Sequence, residues 1–200
     1  LPPYTCSQSG KLDGTTVGNG RHKPLLCEVA NSEKRPANSK RKRMSIVTLK
    51  EGDKAPSFSG KDQNGKTVSL SDFKGKRVIL FFYPKDMTPG CTAEVCNLGE
   101  NYSELQKQGF EVIGVSADSE ERHQKFISKY ELPYTLLADT ELEIIKAYGV
   151  WGNKKFMGKE YDGIHRTTFI IGTDGVLEKV ILKVKTKDHT AQILEELGNG

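Results

Sequence analysis

The chain has 200 residues, of which 36% are hydrophobic, and its formal net charge at pH 7 is +4. This length and composition predict one ordinary domain and a tail, and no apolar run approaches the roughly 18 residues that a membrane-spanning helix needs. Residues 1–43 carry nine basic and three acidic residues, which leaves a net charge of −2 on the rest of the chain. The folded part is therefore not expected to bind nucleic acid.

Residues 1–43 are rich in glycine, serine, asparagine, proline and lysine, and they end in four basic residues, Lys40–Arg43. Such a composition buries too little apolar surface to offset the entropy of ordering, which predicts a disordered basic tail before a domain over residues 44–200. We interpret the tail as a tag, upstream-translated material or a targeting segment. A cytoplasmic protein is expected, or an organellar one if the tail is a transit peptide.

The first predicted elements of the domain lead to a buried strand. The dipeptide Asn64-Gly65 is typical of a β-hairpin turn, and a short helical turn ends at Gly75. The run Arg77–Tyr83 is continuously apolar after its first residue and rich in β-forming side chains, which predicts a buried strand. The prolines and glycine of Pro84–Gly90 then predict a loop.

Helices and strands alternate over the remaining residues. Helices are predicted over Thr92–Gln108, Ser119–Tyr130, Glu141–Tyr148 and His189–Leu197, and strands over Glu111–Ser116, Leu136–Ala138, Thr167–Ile171 and Val176–Val184. This order predicts an α/β protein with a thioredoxin-like fold, in which a central mixed β-sheet is flanked by helices. The loop Pro84–Gly90 would lie at the carboxyl end of a strand, where active sites of such folds are found.

Two cysteines lie close together after this loop. Cys91 stands at the start of the predicted helix, and Cys96 follows five residues later. A thiol at a helix start lies near unpaired backbone N–H groups and the positive end of the helix dipole, and both favour the thiolate. Cys6 and Cys27 lie in the tail, and we expect them to have no role in the chemistry of the other two cysteines. This distribution is unlike the disulfide framework of a secreted domain and indicates redox chemistry.

The segment around Cys91 resembles that of a known enzyme family. Pro84, Thr88 and Cys91 match the pattern Pro-x-x-x-Thr-x-x-Cys, which marks the peroxiredoxins. Further matching residues make the chain most similar to the bacterioferritin comigratory protein group, also called peroxiredoxin Q: Glu94, Cys96 and the run Gly163–Phe169. The resemblance covers about residues 45–198 and does not extend to the tail.

This resemblance implies a peroxidase that reduces hydrogen peroxide and organic hydroperoxides without metal, haem or flavin, and that is recycled by thioredoxin or a similar dithiol protein. It implies that Cys91 is the peroxidatic cysteine and Cys96 the resolving cysteine, as in atypical 2-Cys peroxiredoxins. It further implies that Pro84, Thr88 and Arg166 support Cys91. Because the implied disulfide forms within one chain, we expect a monomer.

Formation of the thiolate alone does not make an efficient peroxidase. A free cysteine with a pKa of about 8.5 is only about 3% thiolate at pH 7, so full deprotonation raises its rate at most roughly thirtyfold. Most of the acceleration must come from donors directed at the breaking O–O bond. The candidate donors are the Arg166 guanidinium, the Thr88 hydroxyl and the N–H groups of Gly90 and Cys91, while Pro84 would shield the thiolate from water.

Several of these residues also have ordinary structural interpretations. Arg166 could form a surface ion pair with Glu160 or Asp162. Glu94 lies in the first turn of the predicted helix, where a carboxylate interacts favourably with the helix dipole, and we interpret it as structural support. Three histidines show no metal-ligand spacing and are expected at the solvent or at the edge of the domain: His123, His165 and His189.

The five-residue spacing limits when the two cysteines can form a disulfide. Five residues of α-helix correspond to a rise of about 7.5 Å and a Cα–Cα separation of roughly 8.6 Å. A disulfide spans no more than about 7 Å between Cα atoms. The helix must therefore unwind whenever Cys91 and Cys96 bond. Gly99, which lowers helix propensity by about 1 kcal/mol relative to alanine, would ease this unwinding.

Two other functions remain open from the residues alone. A thiol-disulfide oxidoreductase acting on proteins has the same fold, but its typical motif is Cys-x-x-Cys, whereas four residues separate the cysteines here. A redox-regulated chaperone or binding protein would use the same two thiols as a sensor. Consumption of peroxide distinguishes the peroxidase from both.

Overall fold

The structure is a computed structural model that describes residues 47–156 and 158–198. The predicted disordered tail, with Cys6 and Cys27, lies outside the described residues. Within them, no helix is long and apolar enough to cross a membrane.

Nine strands of the described residues form a large sheet and a separate hairpin. They are β1 (Ser59–Asp62), β2 (Thr67–Ser69), β3 (Arg77–Phe82), β4 (Phe110–Ser116), β5 (Thr135–Ala138), β6 (Trp151–Phe156), β7 (Lys159–Ile164), β8 (Thr167–Ile171) and β9 (Leu177–Ile181). Seven of them build one sheet in the order β2-β1-β5-β4-β3-β8-β9, and β6 pairs with β7. Strands β3, β4 and β5 are parallel, whereas β8 runs antiparallel to β3. The predicted mixed sheet is therefore confirmed.

Five α-helices and one 3₁₀ helix of the described residues connect or follow these strands. The α-helices are α1 (Pro89–Glu100), α2 (Tyr102–Lys107), α3 (Glu120–Tyr130), α4 (Glu143–Ala147) and α5 (His189–Gly198), and the 3₁₀ helix is Leu70–Phe73.

Strand β3 lies in the interior of the sheet, between β4 and β8, because its side chains can be buried on both faces. Alternate residues of Val78–Tyr83 point into two separate apolar clusters, and all six are at most 1% exposed. One cluster is closed by α1, α2, α3 and α5, and the other by α4 and the segment that precedes β1. This double cover fixes where β3 ends, and the loop that follows it leads to Cys91.

The first helix differs from its prediction at both ends. It begins at Pro89 rather than at Thr92, because proline has the φ angle of a first helical residue and lacks the N–H that would be unpaired there. It ends at Glu100, and α2 begins only after Asn101, whose side-chain Nδ2 donates to the carbonyl of Asn97 at 2.8 Å. The single helix predicted over Thr92–Gln108 is thus two helices.

The hairpin β6–β7 has no counterpart among the predicted elements. Its strands present mostly polar and charged side chains, and four consecutive residues of β7 are exposed. Its turn contains Gly158 with φ +80°, a left-handed conformation that favours glycine. Because the hairpin pairs with no other strand of the described chain, it lacks the apolar alternation that identifies a strand in a sequence.

Gly114, in the middle of β4, leaves room for side chains of the two strands beside it, β3 and β5. A Cβ atom there would lie 2.6 Å from Cδ2 of Leu136 and 2.7 Å from Cζ of Phe81. We expect Gly114→Ala to lower the free energy of unfolding by about 1–3 kcal/mol, because this core has no room for a methyl group. Urea denaturation measures the change. The control is Gly198→Ala, where a Cβ would meet no atom of the described residues within 4 Å; equal stability of the two variants would contradict this packing.

Candidate active site

The loop after β3 delivers Cys91 into the first turn of α1. Thr88 is the N-cap of this helix, and its carbonyl accepts from the N–H of Thr92 at 2.8 Å. Cys91 is the third helical residue, so its N–H and that of Gly90 have no acceptor within the helix. The thiol is free and only 1% exposed. These N–H groups form a small cluster of donors at the positive end of the helix.

Arg166 reaches Cys91 from a distant part of the sequence because of the sheet topology. It immediately precedes β8, whose first residue, Thr167, pairs with Phe82 at the end of β3. The antiparallel pairing therefore sets Arg166 beside the helix that follows β3. Its Nη2 donates to Sγ of Cys91 at 3.1 Å.

The same guanidinium is held by a buried carboxylate. Nη1 of Arg166 donates to Oε2 of Glu94, which is fully buried one turn along α1 from Cys91. The ion-pair partner of Arg166 is thus Glu94 rather than the two acidic residues suggested by the sequence. Burial opposes the charge of Arg166, but the negative charges of Glu94 and Cys91 prevail and raise the pKa of the arginine.

Opposing electrostatic effects act on Glu94. Burial raises its pKa to about 7, although the charge and hydrogen bond of Arg166 act in the opposite direction. Its second oxygen, Oε1, has no hydrogen-bond partner among the described residues and lies 3.8 Å from Nε2 of His189. The prediction that Glu94 merely supports the helix dipole therefore understates its contacts.

Two of the three histidines expected at the solvent or the edge are fully buried, so that prediction was wrong for His123 and His189. Nε2 of His189 lies 2.8 Å from Oγ1 of Thr168. Burial lowers the pKa of His189 to about 4, which keeps its ring neutral at pH 7. The sequence carried no signal for this burial, because His189 is simply the first residue of a predicted helix.

The remaining residues predicted for the site occupy less direct positions. The hydroxyl of Thr88 donates to the carbonyl of Lys85 at 2.9 Å rather than to the sulfur. Pro84 is partly buried and lies two residues after the end of β3. Cys96 is also a free thiol, partly exposed on α1, and its pKa is raised by burial and by the charge of Glu100. In this state α1 is continuous through both cysteines.

Lys154 is a second cation near this site that the sequence did not reveal. It lies on β6, and its Nζ donates to the carbonyl of Ile164 at 2.8 Å. Burial and the positive charge of Arg166 lower the pKa of Lys154. The negative charge of Cys91 acts in the opposite direction but is outweighed. Because the hairpin itself was not predicted, no sequence pattern placed Lys154 near the cysteine.

Comparison with known proteins identifies the family. The model of the AhpC/TSA family matches residues 51–180. Peroxiredoxin Bcp of Escherichia coli is 49% identical over 149 residues, which are 74% of this chain and 96% of that protein. The chain belongs to the AhpC/TSA family. Peroxiredoxin Bcp of Bacillus subtilis is 48% identical over 151 residues, covering 76% of this chain and 96% of the relative. This confirms the resemblance to the bacterioferritin comigratory protein group of peroxiredoxins.

Solved structures agree with this assignment. Peroxidoxin BcpB of Mycobacterium tuberculosis matches with a TM-score of 0.66 and 31% identity, over 76% of this chain and 97% of that one. A cysteine-to-serine mutant of PrxQ from Xylella fastidiosa matches with a TM-score of 0.71 and 27% identity, over 76% and 96% of the two chains. The thioredoxin-like fold is confirmed, and this peroxiredoxin is a thiol-dependent peroxidase. Among the described residues, no group of three or more histidine, cysteine, aspartate or glutamate side chains is arranged to hold a metal ion.

Glu94 and His189 make opposite contributions to the pH dependence of stability. Glu94 binds a proton more tightly in the folded than in the unfolded protein, since its pKa rises from 4.5 to about 7. Its stabilising contribution is complete below pH 4.5 and is lost as the pH rises through 7. The pKa of His189 falls from 6.5 to about 4, so its contribution is present above pH 6.5 and is lost as the pH falls through 4. In the wild-type protein the two trends oppose each other.

Glu94→Gln removes one of these trends. We compare the free energy of unfolding of the variant with that of the wild type. The difference, variant minus wild type, should increase by on the order of 1–3 kcal/mol as the pH rises from about 4 to about 8. Urea denaturation at a series of pH values measures this difference. His189→Asn should deviate in the opposite direction, losing stability relative to wild type as the pH rises. Parallel profiles for wild type and Glu94→Gln would contradict a raised pKa at Glu94.

Proposed function

We propose that Cys91 is the peroxidatic cysteine of this peroxiredoxin and that its thiolate attacks hydrogen peroxide and organic hydroperoxides. The observation that carries the proposal is the 3.1 Å contact between Nη2 of Arg166 and Sγ of Cys91. This contact places a fixed positive charge beside the sulfur that must become negative. Alkyl peroxide reduction activity is ascribed to the bacterioferritin comigratory protein of Xanthomonas campestris, a structural relative with 30% sequence identity, and this supports organic hydroperoxides as substrates.

The first step transfers one oxygen atom to sulfur. The Cys91 thiolate attacks one oxygen of the peroxide, the O–O bond breaks, and the other oxygen leaves as hydroxide or alkoxide and takes up a proton. Negative charge moves from sulfur to the leaving oxygen, so donors fixed near both positions lower the barrier. Arg166 and the N–H groups of Gly90 and Cys91 are these donors. The oxidised product is a sulfenic acid on Cys91.

Thr88 and Pro84 shape the environment of the reacting sulfur. The Thr88 hydroxyl donates its proton to the carbonyl of Lys85, so its oxygen is free to accept a hydrogen bond. A hydroperoxide carries one O–H group to donate, and Thr88 would orient it in this way. Pro84 has no N–H and stiffens the start of the loop, which limits access of water to the thiolate.

Cys96 is the resolving cysteine in this proposal. Its thiol condenses with the sulfenic acid of Cys91, which forms an intramolecular disulfide and releases water. Thioredoxin or a similar dithiol protein then reduces the disulfide and is itself oxidised. Since both sulfurs belong to one chain, the cycle needs no second copy of the protein. The raised pKa of Cys96 favours its thiol form at neutral pH, so the first attack falls to Cys91.

Removal of each cysteine tests these roles separately. Cys91→Ser should abolish peroxide consumption in the presence of thioredoxin, thioredoxin reductase and NADPH, because no thiolate remains at the site. Cys96→Ser should still undergo one oxidation by hydrogen peroxide but should lose recycling by thioredoxin. The rate of NADPH oxidation measures turnover, and mass spectrometry locates the oxidised cysteine. Turnover by Cys91→Ser at the wild-type rate would refute the assignment.

The disulfide demands a change in α1 that has structural consequences. A continuous helix holds the two Cα atoms roughly 8.6 Å apart, beyond the limit of about 7 Å. Unwinding must therefore pass through the middle of α1, where Asn97 connects this helix to α5. The N–H of Thr190 donates to Oδ1 of Asn97 at 2.9 Å, and the hydroxyl of Thr190 donates to its carbonyl at 3.3 Å.

Hydrogen exchange should therefore differ between the two redox forms. In the disulfide form, amides of residues 92–101 are expected to lose protection because the helix is unwound. The amide of Thr190 should lose protection as well, since its acceptor is Asn97. Mass-spectrometric hydrogen exchange of the reduced and the peroxide-treated protein measures both effects. Amides of α3 serve as an internal control, and Cys96→Ser treated in the same way should remain protected. Equal protection of residues 92–101 in both forms would exclude this unwinding.

A further inference from the structure

The loop before Cys91 contains a fully buried carboxylate that the proposed chemistry does not use. Asp86 is 0% exposed, and both of its side-chain oxygens have partners. Oδ1 accepts from the hydroxyl of Tyr83 at 2.7 Å, and Oδ2 lies 2.8 Å from Nδ1 of His123. Tyr83 and His123 are also 0% exposed. A buried aspartate is rare unless it is paired, so this arrangement needs a physical reason.

With Asp86 ionised, the hydrogen-bond partners of His123 require a proton at each ring nitrogen. Nδ1 faces the carboxylate of Asp86, and Nε2 lies 3.2 Å from the carbonyl of Leu137. Neither partner can donate when Asp86 is ionised, and only the imidazolium form of histidine donates from both nitrogens. A buried imidazolium then faces a buried carboxylate, and each removes the uncompensated charge of the other.

The backbone of Asp86 is fixed as firmly as its side chain. Its N–H donates to Oδ2 of Asp118 at 2.7 Å, and its carbonyl accepts from Nη2 of Arg122 at 3.1 Å. Asp118 follows β4, whereas Arg122 and His123 lie on α3. The hydrogen-bonding groups of Asp86 are therefore engaged on both its backbone and its side chain, and most of these contacts reach elements beyond the loop itself.

The next residue shows what these contacts hold in place. Met87 has φ +63°, a left-handed conformation that is unfavourable for a residue with a Cβ and persists only where its surroundings impose it. Thr88 follows and caps α1, and Cys91 lies in the first turn. The turn at Met87 thus sets the direction in which α1 begins, and with it the position of Sγ relative to Arg166.

We propose that Asp86 and His123 are positioning residues for the peroxidase reaction: their buried ion pair holds the strained loop in the conformation that aligns Cys91 with Arg166. Each residue acts through the loop rather than by touching the sulfur. The proposal rests on the proposed role of Cys91, since it assumes that this thiol is the one that reacts.

Kinetics of a single oxidation test the proposal. Reduced protein is mixed with hydrogen peroxide, the reaction is quenched at a series of times, and mass spectrometry measures the oxidised fraction of Cys91. We expect His123→Gln and Asp86→Asn each to lower the second-order rate constant by roughly tenfold to a hundredfold, because a small misplacement of reacting groups has effects of this size. The double variant should be no slower than the slower single variant, since the two residues act as one unit.

A matched pair of tyrosine variants separates positioning from simple loss of a buried hydrogen bond. Tyr83→Phe removes the hydroxyl that donates to Asp86, and Tyr148→Phe removes one that donates to the carbonyl of Pro56 at 2.8 Å. Tyr148 belongs to the cluster on the opposite face of the sheet. We expect Tyr83→Phe to slow the oxidation and Tyr148→Phe to leave it unchanged, with rates measured under conditions where urea denaturation shows each variant to be folded.

Nitrogen NMR of the histidine rings tests the ion pair itself, independently of the oxidation rate. At neutral pH, His123 of the wild-type protein should show protons on both ring nitrogens, and Asp86→Asn should remove the proton from one of them. A single-proton ring in the wild type, or an oxidation rate for folded His123→Gln equal to that of Tyr148→Phe, would overturn the proposal. Failure of the role of Cys91 is recognised separately, because Cys91→Ser would then retain turnover.

Discussion

One guanidinium shared between two acidic groups is the interaction on which the site depends. Arg166 donates to Sγ of Cys91 with one nitrogen and to the buried carboxylate of Glu94 with the other. A charge is costly to bury unless its partners are fixed around it, and Glu94 supplies a partner that is present before and after the sulfur reacts. The antiparallel pairing of β3 with β8 makes this possible, because it brings Arg166 across 75 positions of sequence to the helix that carries the other two residues.

The sequence predicted those elements of the fold whose periodicity reflects burial. Strand β3 and strand β8 were predicted at or within one residue of their observed bounds, since both are buried along most of their length. Hairpin β6–β7 was missed because its strands carry polar side chains and, within the described chain, pair only with each other. The break between α1 and α2 depends on a side-chain hydrogen bond of Asn101, which helical spacing does not reveal.

The same distinction applies to the site. A local motif made Cys91 and Thr88 candidate site residues, because their spacing along the sequence is itself the signal. The burial of His123 and His189 was not predictable, since a histidine on a helix looks like any solvated polar residue until its distant partners are known. His123 is enclosed by the carboxylate of Asp86 and by a carbonyl of β5, and His189 by Thr168. Polar groups that are buried together by tertiary contacts leave no periodic pattern.

The arrangement of contacts around α1 reconciles two opposing requirements. In the proposed cycle, aligning the sulfur of Cys91 with Arg166 needs a rigid helix start, whereas a disulfide with Cys96 needs the same helix to unwind. The buried contacts of Asp86 lie before the cysteine, on the side of the loop that does not have to move. The contacts after it are mixed: Glu94, Val95 and Leu98 are fully buried. Cys96 and Asn97 are only partly buried, and Gly99 lowers helix propensity within the same turn. Unwinding can therefore proceed toward the end of α1 while the loop keeps its conformation. On reduction of the proposed disulfide, this fixed loop would offer the template on which the first turn forms again.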